Sequence, residues 1–192
     1  MSDDAISHLR KDPDLEPIID RHGEVTLEPA DDPFERMVVS IVNQQLATDA
    51  AASIRERLYD AVEIEPTVIL HADESTLRDA GLSQQKTNYI RNVARAFADN
   101  GYSFEYFEGM DDEAVIAELT NITGVGVWTA KMQLLFSLAR PDVFPVEDLG
   151  IRRAMESIYS EDLTRDEMVE IAEQWRPYRS YASLYLWRSR DE

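Results

Sequence analysis

The chain has no cysteine among its 192 residues. That absence removes disulfides, thiolate nucleophiles, cysteine-bound zinc and cysteine-bound iron–sulfur clusters together. Histidine is scarce as well: His8, His22 and His71 are the only three, and their spacing points to no shared site, so the sequence assigns no metal. No apolar run approaches the roughly 18 residues of a spanning helix. The start, Met1-Ser-Asp-Asp-Ala, is acidic where a secretory signal is basic. The expectation is a soluble cytoplasmic protein with no membrane partner.

Lysine is nearly missing too. Only Lys11, Lys86 and Lys131 stand among 19 basic residues, against 38 acidic ones, for a net charge of -19. That is the wrong sign for a chain that approaches phosphate. The pattern resembles haloadapted proteins, whose acidic surface keeps them soluble in concentrated salt. Near 1 M salt, exposed charges are screened within about 3 Å, so such a surface does not forbid a polyanionic partner. Arg152, Arg153, Arg176, Arg179, Arg188 and Arg190 gather near the C-terminal end, which allows one locally basic face.

What is present is helical periodicity, without the sustained alternation of strands, so the fold class reads as all-α. The length suits one ordinary domain or two small helical lobes sharing a groove. Leu9 to Ile19 reads as one or two short helices, and Gly23 to Ala30 as a loop or at best an isolated strand. Asp32-Pro33 is a cap followed by proline at the first helical position, opening a helix over Phe34–Asn43. A break follows near Gln44 to Thr48. Further helices are expected over Asp49–Tyr59, Asp73–Ala80, from the Ser83 cap through Phe97 to a stop at Asn100-Gly101, and over Asp111–Asn121 and Val127–Ala139. Asp148 can cap Leu149–Tyr159, Thr164 can cap Arg165–Trp175, and Pro177 starts the last helix, Tyr178–Trp187.

Two segments carry chemistry. In Leu119-Thr-Asn-Ile122-Thr-Gly124-Val125-Gly126-Val-Trp128-Thr-Ala130, two glycines one residue apart lie between two helices. They permit a tight hairpin whose backbone N–H groups and following helix N-terminus face outward, an array suited to a phosphate oxygen. An ordinary packing corner is the plain alternative. The second segment, Val143-Phe-Pro-Val-Glu147-Asp148-Leu-Gly-Ile-Arg152-Arg153, puts an acid at a helix start after proline-stiffened chain. A carboxylate held against helix N–H donors stays ionised and favours developing positive charge. A plain N-cap explains the same residues.

Taken together, Leu119–Ala130 and Phe144-Pro-Val-Glu-Asp148 resemble the hairpin plus downstream aspartate of the helix-hairpin-helix (HhH-GPD) DNA glycosylases, of the 3-methyladenine DNA glycosylase II type. Ser40-Ile-Val-Asn-Gln44-Gln45-Leu46-Ala-Thr is similar to the family's DNA-inserting loop, and Trp175 to Trp187 to its closing helix. Gly81-Leu-Ser-Gln-Gln-Lys86-Thr-Asn-Tyr-Ile90 is a weaker fourth match. The resemblance spans Asp32 to Trp187 in the family's order.

It implies a single HhH-GPD domain over residues 1–192, with a central lobe near 33–140 that includes the hairpin at 119–130. Residues 1–32 and 141–192 would form a second lobe, the two flanking a DNA-binding cleft. It implies that Asp148 is the catalytic residue, that the backbone of Gly124, Val125 and Gly126 holds DNA, and that Leu46 fills the space left by an extruded base. Gln44 or Gln45 would contact the opposite strand, and hairpin carbonyls can bind a monovalent cation. No other cofactor is implied. Trp128 stands where bifunctional relatives carry a nucleophilic lysine, so no Schiff-base strand cleavage is expected.

The implied activity is excision of alkylated purines from double-stranded DNA in base excision repair, leaving an abasic site, by a nucleoid-associated monomer. Trp128, Tyr178 and Tyr181 are candidates to line the base pocket, whereas Trp175, Tyr185 and Trp187 read as core packing. Alternatives stay open: a relative acting on oxidised, deaminated or mismatched bases, a noncatalytic DNA-binding module, or an acidic helical interaction protein. The last explains the charge but neither the hairpin nor Gln44-Gln45-Leu46. If salt adaptation explains the charge, the thermal unfolding midpoint rises from dilute buffer to molar KCl; a maximum in dilute buffer refutes that reading.

Overall fold

A computed structural model describes residues 2–190. Among them the regular structure is helical throughout, with no strand: α1 (Ser2–Leu9), α2 (Glu16–His22), α3 (Pro33–Asn43), α4 (Thr48–Ala61), α5 (Pro66–His71), α6 (Glu74–Asp79), α7 (Gln84–Asn100), α8 (Phe104–Glu108), α9 (Asp112–Thr120), α10 (Val127–Phe136), α11 (Leu149–Ile158), α12 (Arg165–Ala172) and α13 (Arg179–Arg188). None is long and apolar enough to cross a membrane. The chain divides into two compact units, Ala30–Gln133, and Met1–Pro29 with Leu134–Glu192.

Helix starts follow the capping residues. Asp32, Ser83, Ser103, Asp111 and Asp148 each accept a backbone N–H three residues on, and Thr164 forms a reciprocal capping box with Glu167. Gly101, at φ 67° in the left-handed region, stops α7. Three helices lie in stretches without a helical reading. α1 precedes the expected Leu9–Ile19 stretch, of which only Leu9 and residues 16–19 are helical. The others, α5 and α8, are six and five residues long, too short to display a 3.6-residue period. Residues 23–30 form a loop, and the segment expected as one helix to Trp175 tightens into a 3-10 turn at Glu173–Trp175.

In the Ala30–Gln133 unit, α3 and α5 pack against α7. Met37, Val38, Ile41 and Val42 form the buried stripe of α3 at helical spacing, each contributing roughly 1.5–3 kcal/mol on burial. Phe97 meets the rings of Phe34 and Tyr102 edge-on, with centroids 5.4 and 5.3 Å away.

The other unit buries Leu9, Leu15, Ile19, Ile151, Met155, Met168, Trp175, Tyr185 and Leu186 together. Its arginines largely face inward partners. Arg176 and Arg179 pair with Asp142, each at 2.7 Å, and Arg152 and Arg188 donate to backbone carbonyls. The basic face that their clustering allowed is therefore not assembled from these four, because carboxylates and backbone carbonyls engage them. Arg153 and Arg190 are exposed.

One buried acid organises the core of this unit. Asp12, 3% exposed, accepts the Trp175 indole N–H at 2.8 Å, the Tyr159 hydroxyl at 2.7 Å and the Asp14 backbone N–H at 3.0 Å. Burial first, and then the bond to Asp12, push the Tyr159 phenol well above its ordinary value. In the unfolded chain that phenol ionises near pH 10. Its contribution to stability is thus complete below about pH 10 and is lost as pH rises toward the folded value. Asp12→Ala strands a buried indole N–H and a hydroxyl and is expected to lower unfolding free energy by roughly 2–4 kcal/mol. Urea titration checks this; a change under about 0.5 kcal/mol, typical of an inert surface site, refutes it.

Candidate functional site

Between α9 and α10 the chain makes the expected hairpin. The Val125 N–H closes the turn onto the Ile122 carbonyl at 2.9 Å. Gly124 sits at φ 106°, and a Cβ there would run into the ring of Tyr89, so glycine is required twice over. Gly126 has open space where a Cβ would stand. Glycine there serves access rather than conformation. The first turn of α10 carries no acidic residue, so its dipole is not neutralised by its own sequence. Val125 is buried and its amide is used by the turn, which leaves Gly126 and the start of α10 as the accessible backbone.

Two hydrogen bonds join this hairpin to the break after α3. The Gln44 side-chain amide donates to the Gly124 carbonyl and to the Thr129 hydroxyl, both at 3.1 Å. Gln44 is thus committed within the unit, whereas Gln45 beside it is exposed at φ 57°. Leu46, 40% exposed, is no core leucine. The Lys86 ammonium donates to the carbonyls of Val42 and Gln44, each at 2.7 Å, and burial lowers it from its ordinary range. Gln44, Leu46, Gly81, Lys86, Tyr89 and Gly124 are among the residues lining a cavity of about 580 Å³.

Asp148 lies in the other unit. Its approach is braced: the Asp148 N–H bonds the Pro145 carbonyl at 2.9 Å, and Arg152 donates to the carbonyls of Val146 and Glu147. As N-cap of α11, Asp148 accepts the Ile151 N–H on Oδ1 at 3.0 Å. The same oxygen accepts the indole N–H of Trp187 at 3.0 Å. Gly150 permits this approach, because a Cβ there would stand 3.0 Å from Asp148 Oδ1 and 3.3 Å from Trp187 Cδ1. The Trp187 ring packs on Phe136 at 5.4 Å. The result is a carboxylate of fixed orientation, able to favour positive charge formed beside it.

Trp187 is an aromatic that the fold brings to Asp148, although its spacing in sequence reads as core packing. Helical spacing alone cannot separate the two roles, since both bury most of the ring. Trp175 and Tyr185 are core residues as expected, 1% and 0% exposed. Tyr178 and Tyr181 lie nine and six residues before Trp187, about 13 and 9 Å along a helix axis. Tyr178 is half-buried, packing on the rings of His8 and Tyr181, and Tyr181 is buried. Trp128 is half-buried in the first turn of α10.

Residues 38–177 match the HhH-GPD family, described as superfamily base excision DNA repair protein. A DNA-3-methyladenine glycosylase of Saccharomyces cerevisiae is 30% identical over 94% of this chain and 76% of its own length. The structure of a DNA-3-methyladenine glycosidase from Bacillus halodurans superimposes with a TM-score of 0.79 at 34% identity, covering 95% of this chain and 86% of that one. The Schizosaccharomyces pombe 3-methyladenine DNA glycosylase Mag1, in complex with abasic DNA, superimposes with a TM-score of 0.89 at 28% identity over 97% and 96% of the two chains. A family match across most of the chain, together with a hairpin and a capped aspartate in that family's order, means that this chain belongs to the HhH-GPD superfamily of base excision DNA repair proteins.

Proposed function

We propose that this protein is a monofunctional DNA glycosylase that releases alkylated purines, of the 3-methyladenine kind, from double-stranded DNA and leaves an abasic site. The observation that carries the reading is the Asp148 carboxylate, held on one oxygen by a helix N–H and the Trp187 indole. A noncatalytic DNA-binding module has no use for so constrained an acid. The names of the S. cerevisiae, B. halodurans and S. pombe relatives support the substrate class.

The mechanism follows from charge. The damaged base must leave the stack, at a cost of a few kcal/mol that is smaller for damaged pairs. A ring-alkylated purine carries positive charge and is already a good leaving group. As its bond to the sugar breaks, positive charge moves onto an oxocarbenium-like sugar, and the fixed carboxylate of Asp148 favours that state or orients the attacking water. An indole face favours a cationic base by roughly 0.5–2 kcal/mol, the role we assign to Trp128. With tryptophan at that position, the chain offers no amine there for attack on the sugar.

The hairpin would grip the DNA backbone through Gly126 and the α10 N-terminus, and Leu46 would fill the vacated stack. A monovalent cation, where one binds, would sit on hairpin carbonyls and add positive charge toward a phosphate. Those of Thr123 and Gly124 each accept one side-chain amide and keep a second lone pair. We place the protein in the cytoplasm, with the chromosome.

Asp148→Asn is expected to bind methylated duplex but release bases about 100-fold more slowly or worse, read by mass analysis of freed bases. Unchanged release overturns the catalytic role. Wild-type inactivity on methylated DNA, with release from oxidised or deaminated DNA, overturns the substrate class. The two glycines should also separate. Gly124→Ala is expected to lower unfolding free energy by roughly 2–4 kcal/mol. Gly126→Ala should leave stability within about 0.5 kcal/mol and weaken DNA binding about tenfold. The same effect of both substitutions on melting and on binding refutes this division.

A further inference from the structure

Leu46 can replace an extruded base only if its loop keeps its shape while the duplex presses on it. That loop is held in a disfavoured form: Gln45 has φ 57°, a left-handed conformation that side chains resist unless their surroundings impose it. The surroundings here are three side chains. Gln44 reaches the hairpin, Arg55 of α4 donates to the Asn43 side-chain oxygen, and Lys86 of α7 donates to the carbonyls of Val42 and Gln44 on either side of Asn43. The last turn of α3 has no basic residue of its own, so Lys86 supplies the cation at its carbonyl end. Lys86 is itself fixed, since its backbone N–H is capped by Ser83 at the start of α7.

A lysine lining the same cavity as Leu46 and the hairpin glycines, in so acidic a chain, would ordinarily be assigned to phosphate. Here two of the three ammonium protons are committed to backbone carbonyls 2.7 Å away, and the group is partly withdrawn from water. We propose that Lys86 is a positioning residue for base extrusion, clamping the carbonyls of Val42 and Gln44 so that Leu46 is presented to the stack, and does not bind a DNA phosphate. This rests on the reading of Leu46 as the wedge given above. It assigns no contact between Lys86 and the base or the sugar.

The test compares wild type, Lys86→Met, Lys86→Arg and Leu46→Ala on methylated duplex carrying 2-aminopurine beside the lesion. A phosphate-binding lysine contributes about one unit to the slope of log affinity against log salt. The clamp predicts that Lys86→Met keeps the wild-type slope, while extrusion fluorescence and single-turnover release at saturating protein fall about tenfold, as in Leu46→Ala. Lys86→Arg, which restores a cationic donor, recovers most of the loss. In the free protein the Leu46 amide, bonded to the Asn43 carbonyl at 3.3 Å, exchanges at least about tenfold faster in Lys86→Met.

A slope shallower by about one with normal saturated release makes Lys86 a phosphate contact and overturns the clamp. A lower melting temperature with unchanged release and unchanged Leu46 exchange leaves Lys86 as ordinary packing and overturns it equally. Should wild type release no base from this duplex, the alkylated-purine reading fails, and the exchange measurement still decides whether Lys86 holds the Leu46 loop.

Discussion

Every helix end leaves up to four backbone groups without an intrahelical partner, and a chain folded mostly into helices of 5 to 17 residues has many such ends. Satisfying them is the constraint on which the rest of this structure depends. Most starts solve it locally, with a serine, threonine or aspartate on the third N–H, or with acids in the first turn. Three helix ends bear on the proposed function. The α10 start has no acid, the carbonyl end of α3 is served by a lysine from another helix, and the cap of α11 is an aspartate also held by an indole. The proposed function is thus built on helix ends, where the backbone dipole acts alone at α10 and beside a charged side chain at α3 and α11.

That choice bears on the net charge of -19. An acidic protein cannot rely on a broad basic surface to hold a polyanion, and four arginines clustered near the C-terminal end are engaged by Asp142, Glu173 and backbone carbonyls. In the proposed reading the remaining means of grip are short-ranged: the exposed backbone at Gly126, the N-terminus of α10, and the exposed side chain of Leu46. Such contacts survive screening better than long-range attraction between exposed charges, because they act at hydrogen-bond and van der Waals distance.

Much of this was legible in the residues. Asp32-Pro33, Ser83, Asn100-Gly101 and Thr164 mark helix boundaries through bonds reaching only a few residues along the chain, and the structure places those boundaries within a residue or two. The hairpin glycines were legible for the same reason. The helices α1, α5 and α8 were not; α5 and α8 have only six and five residues in which to express a period, whereas the equally short α6 was marked by the Gly81 stop. Among site residues, Asp148 announces its cap, while Trp187, 39 residues later, looks like any apolar residue of a closing helix. Lys86 and Asp12 were likewise invisible as anchors, because their partners lie 42 to 44 and up to 163 residues away.

The sequence by itself therefore determined the all-helical class, the helix ends, the hairpin and the chemistry available at Asp148. All of these follow from backbone propensity and hydrogen bonds within one turn. Only the tertiary structure decided which indole meets Asp148, that Gly150 makes room for it, that Gly124 rather than Gly126 is sterically required, and that a lysine in an acidic protein is turned onto its own backbone. Those outcomes depend on which surfaces pack together, and packing joins residues whose separation in sequence carries no periodic mark.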